Sequence, residues 1–349
     1  MSDLRERDKN LINNWYIACL SSELKNGQVL NRMVYDRSYA LYRTSDGKVA
    51  CLLNRCLHRL TQISDGKLIN DCLVCPYHGW KYDQNGKVVH IPSQGPEQKE
   101  ISQTLDTLPT YEQDGAIWVW TGDEPATEAP PWRFPFANDP SWVSYFMITD
   151  FQNEVTNLCE NFMDVPHTVF VHEGWFRDEA YKKVPMTVET NNAKVLVTYK
   201  QEEDKIGGMF HWLLNPKGEP MKHTDEYIYP NLTRVDYTFG NEYGFIINSQ
   251  NTPVSSLKSR TYTYIAYKMA IGSKLVKPFI QFYTRQVIEQ DVDIMRIQSR
   301  ALEIDPRENF RSVDADAVHI AIERIRQYGR VKHKLLFEFN EKVEKDFWI

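Results

Sequence analysis

Long apolar runs are missing from this chain. No segment approaches the roughly 20 consecutive apolar residues that a bilayer-crossing helix needs. The opening Met1-Ser2-Asp3-Leu4-Arg5-Glu6-Arg7-Asp8-Lys9-Asn10 is charged throughout and lacks the apolar centre of a secretory signal, so a cytoplasmic location without membrane contact is expected. Positive charge is also in short supply: 41 Lys and Arg stand against 47 Asp and Glu, a net charge of −6, which removes the electrostatic footprint of a nucleic-acid binder. There is no glycine-rich dinucleotide fingerprint, which excludes direct use of NAD(P)H. Cysteine is sparse, 6 in 349 residues. Cys19, Cys51, Cys72 and Cys159 are scattered singly, which fits a reducing compartment rather than a disulfide framework, and they read as small buried hydrophobes.

What is present is ample for packed cores, with 42% hydrophobic and 13% aromatic residues, over a length that suggests two domains. From Trp15 to about Asp123 the chain reads as short strands punctuated by Asp46-Gly47, Asp65-Gly66, Asn85-Gly86 and Asp114-Gly115. A Pro-rich stretch, Glu124-Pro125 through Pro130-Pro131-Trp132 to Pro135, resists helix and central strand alike. Beyond it, Thr224–Tyr229, Thr233–Phe239, Gly244–Asn251 and Ser259–Lys268 read as successive antiparallel strands. Lys277–Leu302, Ala315 to about Phe339 and the segment around Glu160 read as helices. The expected fold class is α+β: an all-β domain over residues 1–124 with a short extension at 1–13, a linker at 125–139, and an α+β domain over 140–349 whose curved antiparallel sheet is flanked by helices and cups a pocket.

Two of the cysteines belong to short knuckles, Cys56-Leu57-His58 and Cys75-Pro76-Tyr77-His78, with sixteen residues between them. Each contributes one thiolate and one imidazole. Structural zinc sites usually pair Cys with Cys and His with His, so the mixed pairing points instead to a Rieske [2Fe–2S] centre, in which two Cys hold one iron and two His the other. Pro76 stiffens the loop where its ligands must be aimed. No second set of iron–sulfur cysteines exists to receive electrons, so a separate ferredoxin or ferredoxin reductase must supply them.

A second constellation begins at Asn161-Phe162-Met163-Asp164-Val165-Pro166-His167 and ends at His172. On an ideal helix His167 and His172 would lie about 140° apart, at about 100° per residue, and could not grip one ion. Pro166 offers a break immediately before His167 that lets them converge. The third ligand of a 2-His-1-carboxylate iron site is expected to be Asp291, which shares the apolar stripe of Val287, Ile288, Ile294 and Met295; Asp293 shares a charged face with Glu289, Arg296 and Arg300. The alternative is that Asp291 pairs with a neighbouring Arg. Candidate pocket walls are Phe151, Met163, Phe210, Trp212, Tyr237, Phe245 and Tyr283, each of which also suits ordinary core. Glu160 and Glu173 lie near the iron string and would suit a cationic substrate.

The knuckles, the Asn161, Asp164, His167, His172 string and Glu289-Gln290-Asp291, in that order, resemble the α subunit of a Rieske non-haem iron oxygenase, of the monooxygenase and demethylase type. Phe170-Val171-His172-Glu173-Gly174-Trp175 and Glu289-Gln290-Asp291 are similar to cyanobacterial hydroxylases that tailor saxitoxin-like guanidinium alkaloids. The resemblance implies a [2Fe–2S] cluster, a mononuclear Fe(II), O2 as cosubstrate, a small-molecule substrate and a homotrimer. It also implies that Asp164 bridges His78 of one subunit and His167 of the next for electron transfer, with Asn161 near the iron. Leu60 stands where the family commonly has Gly, a change expected to alter loop packing and cluster potential slightly. The implied activity is C–H hydroxylation or oxidative O- or N-demethylation. An electron carrier or redox sensor, and a zinc-stabilised binding module, remain as alternatives.

Overall fold

A computed structural model describes residues 11–130, 132–173, 182–199, 215–240, 242–270, 272–305, 310–331 and 336–349. Residues 1–10 of the expected extension, Pro131, Gly174, Trp175, Phe210, Trp212 and residues 332–335 of the expected last helix lie outside the described residues. The chain divides into two units after Arg133, inside the Pro-rich stretch.

The first unit is built from ten strands: β1 Trp15–Leu20, β2 Val29–Val34, β3 Arg37–Arg43, β4 Val49–Leu53, β5 Lys67–Ile69, β6 Cys72–Val74, β7 Lys81–Tyr82, β8 Val88–His90, β9 Thr110–Gln113 and β10 Ala116–Trp120. They form three small antiparallel sheets, β1-β10-β9, β2-β3-β4 and β5-β6-β7-β8. Glycine turns the chain with positive φ at Gly47, Gly86 and Gly115, three of the four turns expected. Asp65-Gly66 behaves differently. Gly66 has an extended backbone and ends a short 3-10 turn; a Cβ there would sit 1.9 Å from the Val74 carbonyl oxygen, so glycine permits a close approach rather than a tight hairpin. The β5–β6 hairpin turns at Asn70-Asp71, whose φ values are 50° and 59°. Cys19 and Cys51 are buried, but Cys72 is only partly so.

Both knuckles are the same backbone turn. The Leu60 amide donates to the Cys56 carbonyl at 3.0 Å and the Gly79 amide to the Cys75 carbonyl at 3.0 Å, while Cys56 and Cys75 donate to the carbonyls of Thr61 and Trp80. Each turn closes on a left-handed residue, φ 58° at Leu60 and 70° at Gly79. Glycine meets that requirement freely; leucine pays a steric cost of roughly 1–2 kcal/mol. The Leu60 side chain is 62% exposed, so the consequence of having leucine here is carried by its backbone rather than by packing.

The second unit carries one open antiparallel sheet of eight strands: β11 Val143–Phe151, β12 Lys183–Asn191, β13 Lys194–Tyr199, β14 Met221–Ile228, β15 Leu232–Phe239, β16 Tyr243–Ser255, β17 Lys258–Lys268 and β18 Glu341–Trp348, in the order β11-β17-β16-β15-β14-β13-β12-β18. Among the described residues the helices are α1 Val155–Asn161, α2 Thr168–Val171, α3 Lys277–Ile304 and α4 Ala317–Val331. The apolar stripe of α3 covers the β11 side of the sheet: Ile280, Ile288 and Met295 pack in one core with Met147, Phe239 and Ile265. The last helix is shorter than its periodicity suggests, since residues 337–340 are not helical and the chain returns as β18. No helix among the described residues is long and apolar enough to cross a membrane.

If the Leu60 turn is strained, Leu60→Gly should stabilise the first unit by about 0.5–1 kcal/mol, the relief less the added chain entropy of glycine when unfolded. Denaturant unfolding of the cluster-loaded protein checks this, and a loss of stability would contradict it.

Candidate metal centres and pocket

In the first unit the two turns bring like ligands together. The His58 and His78 rings lie 4.5 Å apart between centroids, and the Cys75 thiol is in hydrogen-bond contact with Cys56. Two sulfurs and two imidazoles thus form separate pairs, the donor distribution that a Rieske cluster needs. The His58 Nδ1 atom is buried with no hydrogen-bond partner among the described residues, an unsatisfied position that a metal bond would fill. Trp80 stacks on His58 at 5.0 Å and 4°, fixing the ring. The Tyr82 hydroxyl accepts from the Leu57 amide at 3.0 Å and stands 3.1 Å from Cys56 Sγ, where its proton points at the sulfur.

In the second unit the chain leaves helix at Asn161, earlier than the break expected at Pro166, and resumes it for a single turn. His167 caps the start of α2 and His172 its end. The two imidazoles converge because they flank a short helix rather than sharing a face of a long one. Asp291, 5% exposed on α3, meets them: its Oδ1 lies 3.5 Å from His167 Nε2 and 3.3 Å from His172 Nε2. Ligand atoms of the three residues fall within 4.8 Å of one another. Asp293 is solvated and pairs with Arg296 at 2.7 Å.

The remaining nitrogens settle what this triad wants. His167 Nδ1 faces Asp164 Oδ2 at 3.1 Å, and the same oxygen accepts the His167 amide at 2.9 Å. His172 Nδ1 faces the amide oxygen of Gln290 at 2.9 Å. With both Nδ1 atoms directed at acceptors, both Nε2 atoms converge on one carboxylate oxygen, where a proton on an imidazole or a metal ion supplies the positive charge that holds them together. Burial pushes the His167 pKa down, but the carboxylates of Asp164 and Asp291 outweigh it and raise it to about 9. Burial acts to raise Asp291, and the two imidazoles overcome it and hold the acid at about 2. The donor set therefore fits a divalent cation. Asn161 donates to Asp291 Oδ1 at 3.0 Å, which places it beside the candidate metal-binding carboxylate. In the sequence, the only signal for Gln290 is its position beside Asp291 on a helix.

Beside the triad lies a mostly apolar cavity of about 150 Å³. His172 and Asp291 border it, with Tyr237, Phe245 and Tyr283 among its walls, while the other described candidates, Phe151 and Met163, are core. Its floor also contains Asp225, which sequence reasoning missed. A second, polar cavity of about 240 Å³ lies on the far side of Asp164 and is lined by Glu160, Asp316, His319 and Glu323 among others. Glu173 is exposed.

The matching family descriptions agree with both centres. A Rieske [2Fe–2S] domain matches residues 14–112, and the vanillate O-demethylase oxygenase C-terminal domain matches residues 151–330. The chain belongs to the Rieske non-haem iron oxygenases, in the group with a vanillate O-demethylase type of C-terminal domain. Among its relatives is the oxygenase component of dicamba O-demethylase from Stenotrophomonas maltophilia, 35% identical over 191 residues, 54% of this chain and 55% of that protein. The chain thus spans about half the length of that curated relative. Dicamba monooxygenase bound to 3,6-dichlorosalicylic acid shares the fold with a TM-score of 0.80 at 22% identity, over 93% of this chain and 98% of that one. The caffeine-bound NdmA of Pseudomonas putida CBB5 does so with a TM-score of 0.75 at 20% identity, over 96% of each chain.

Two outcomes follow from the geometry. Tyr82→Phe removes a hydrogen bond to a cluster sulfur and should lower the reduction potential of the assembled centre, read by redox titration of its visible spectrum; an unchanged or higher potential would count against the contact. Burial and then the nearby Glu323 carboxylate raise Glu160 to about 8, so the folded state prefers it protonated. Its contribution is full below pH 4.5 and lost as pH rises through about 8. Glu160→Gln should therefore melt at least about 2 °C above wild type at pH 8, with the gap closing by pH 4.

Proposed function

We propose that this chain is a terminal oxygenase that uses O2 and externally supplied electrons to place one oxygen atom on a C–H carbon of a small molecule. The observation that carries this reading is that the two-histidine, one-carboxylate set borders a mostly apolar cavity through His172 and Asp291. A facial triad of this kind holds Fe(II) with positions to spare and supplies the oxygen chemistry. What the chain itself contributes is placement. Asp164 and Gln290 orient the ligand imidazoles, Asn161 steadies Asp291, and the walls formed by Tyr237, Phe245, Ile247 and Ile265 exclude water and press the substrate towards His172 and Asp291. Cys56, His58, Cys75 and His78 would hold the [2Fe–2S] cluster that delivers electrons from a separate ferredoxin or reductase.

Oxidative demethylation is the variant of this chemistry that the relatives favour: hydroxylating an O-methyl or N-methyl carbon gives an adduct that expels formaldehyde. Hydroxylation of a saxitoxin-type guanidinium alkaloid rests on the short stretches around His172 and Asp291 alone. A homotrimer, with Asp164 passing electrons from His78 of a neighbouring subunit to His167, and a cytoplasmic location complete the reading. Asp164 suits that part: its carboxylate is partly buried, is held below the usual range by His167 despite burial, and touches the ligand ring directly.

Protein purified without oxygen should contain about three irons and two sulfides per chain. His167→Ala should lose about one iron and all turnover while keeping the cluster spectrum. Activity that survives the substitution would favour an electron carrier, and zinc without sulfide would sink the oxygenase reading.

A further inference from the structure

Three ladder rows cross the sheet beneath the cavity. The first runs Tyr227, Thr233, Ser249, Thr263, Met147 and the third His223, Tyr237, Phe245, Tyr267, Val143. Between them lies Asp225, Val235, Ile247, Ile265, Tyr145. Every other member of that middle row is apolar or aromatic, yet Asp225 is 2% exposed and lines the cavity. A carboxylate buried in such a row is unfavourable unless something compensates it.

Its neighbours compensate it in part. His223 Nε2 lies 2.9 Å from Asp225 Oδ1, and the buried Tyr199 phenol stands against the same carboxylate. Tyr199 and Tyr237 flank the His223 ring at 4.6 and 4.4 Å, so the pair is held rigidly. A carboxylate offers about four acceptor sites, and these two donors leave capacity facing the cavity. Four of the lining hydroxyls are already matched: Ser249 with Thr263 at 3.2 Å, Thr284 with Tyr145 at 2.8 Å, Thr168 with the Val165 carbonyl at 2.7 Å. Asp164 and Asp291 are committed to the imidazoles. Among the described lining residues, Asp225 is the only charged group outside the iron site, and no Lys or Arg is present.

We propose that Asp225 is the substrate-recognition residue of this cavity, accepting a hydrogen bond from an N–H group (amine, amidine or ring nitrogen) of an otherwise apolar small molecule and disfavouring anionic ones. The inference deepens the oxygenase reading and rests on it for the identity of the cavity as a substrate site. It turns a buried acid that is costly in the empty protein into a charge-assisted hydrogen bond in the complex, and it orients the substrate by one end while the apolar walls hold the rest.

The test uses two probes of one shape and opposite charge, benzamidine and benzoate, titrated calorimetrically into the oxygen-free, iron-loaded protein. Benzamidine should bind at least tenfold more tightly than benzoate. Asp225→Asn should bring that ratio to within threefold, chiefly by weakening benzamidine, with iron content and cluster spectrum unchanged. Benzoate binding equally or more tightly, no binding of either probe, or an unchanged ratio in a folded Asp225→Asn variant would each overturn the proposal. If the variant does not fold, the wild-type ratio decides alone. Failure of the oxygenase reading would appear separately, as missing mononuclear iron or absent turnover beside an intact binding ratio.

Discussion

Two imidazole nitrogens and a carboxylate oxygen face one another across 3.3–3.5 Å inside the second unit, and positive charge holds that encounter together, whether a proton on His167 or a metal ion in its place. Much of the surrounding structure serves to make it unavoidable. Asp164 and Gln290 each take the outward nitrogen of one ring, so neither imidazole can turn its lone pair away. Asn161 holds the carboxylate from the opposite side. The three ligand atoms are held in place by these partners, which is the condition under which a metal ion binds with little rearrangement.

The helix that supplies Asp291 also closes the core. Along α3, Ile280, Ile288 and Met295 pack on the sheet, and Asp291 occupies the same stripe, so the ligand is as rigid as the core that carries it. Its neighbours divide the remaining tasks by angle alone: Gln290 reaches His172, while Asp293, two positions on, meets Arg296 in solvent. A helix turning about 100° per residue places adjacent side chains in different environments, and this is why a short Gln-Asp pair reaches both the ligand shell and the group behind it.

The same arithmetic explains what the sequence disclosed. Asp291 was legible because an acid on an apolar stripe is anomalous, and the knuckles were legible because ligand types and turn residues are local. The convergence of His167 and His172 was legible only as a requirement; the helix break that achieves it lies at Asn161, where no proline marks it. Strand β18 was hidden because Glu341-Lys342-Val343-Glu344-Lys345-Asp346-Phe347-Trp348 is mostly charged, and at the sheet edge few of its positions are buried. Asp225 was hidden for a related reason. In Met221-Lys222-His223-Thr224-Asp225-Glu226-Tyr227, the inward set His223, Asp225, Tyr227 is nearly as polar as the outward set, so a period of two carries no sign of which face is buried.

Charge balance ties the two ends of the cavity together. A divalent ion, if held by neutral His167 and His172 against Asp291, would leave one surplus positive charge, which Asp164, in contact with the back of His167, would cancel. Asn161 contributes a donor without a charge, where Lys or Arg would compete with the ion for Asp291. The metal site is then close to neutral on its own, as a buried site must be. Asp225 is not needed for that balance. Among the described residues its carboxylate is met by His223 and the phenol of Tyr199, and the mostly apolar cavity lining screens its field little. Under the proposed reading, a molecule entering this space would meet a nearly neutral metal site and an acid on the sheet, so its own charge distribution would decide which end faces Asp225.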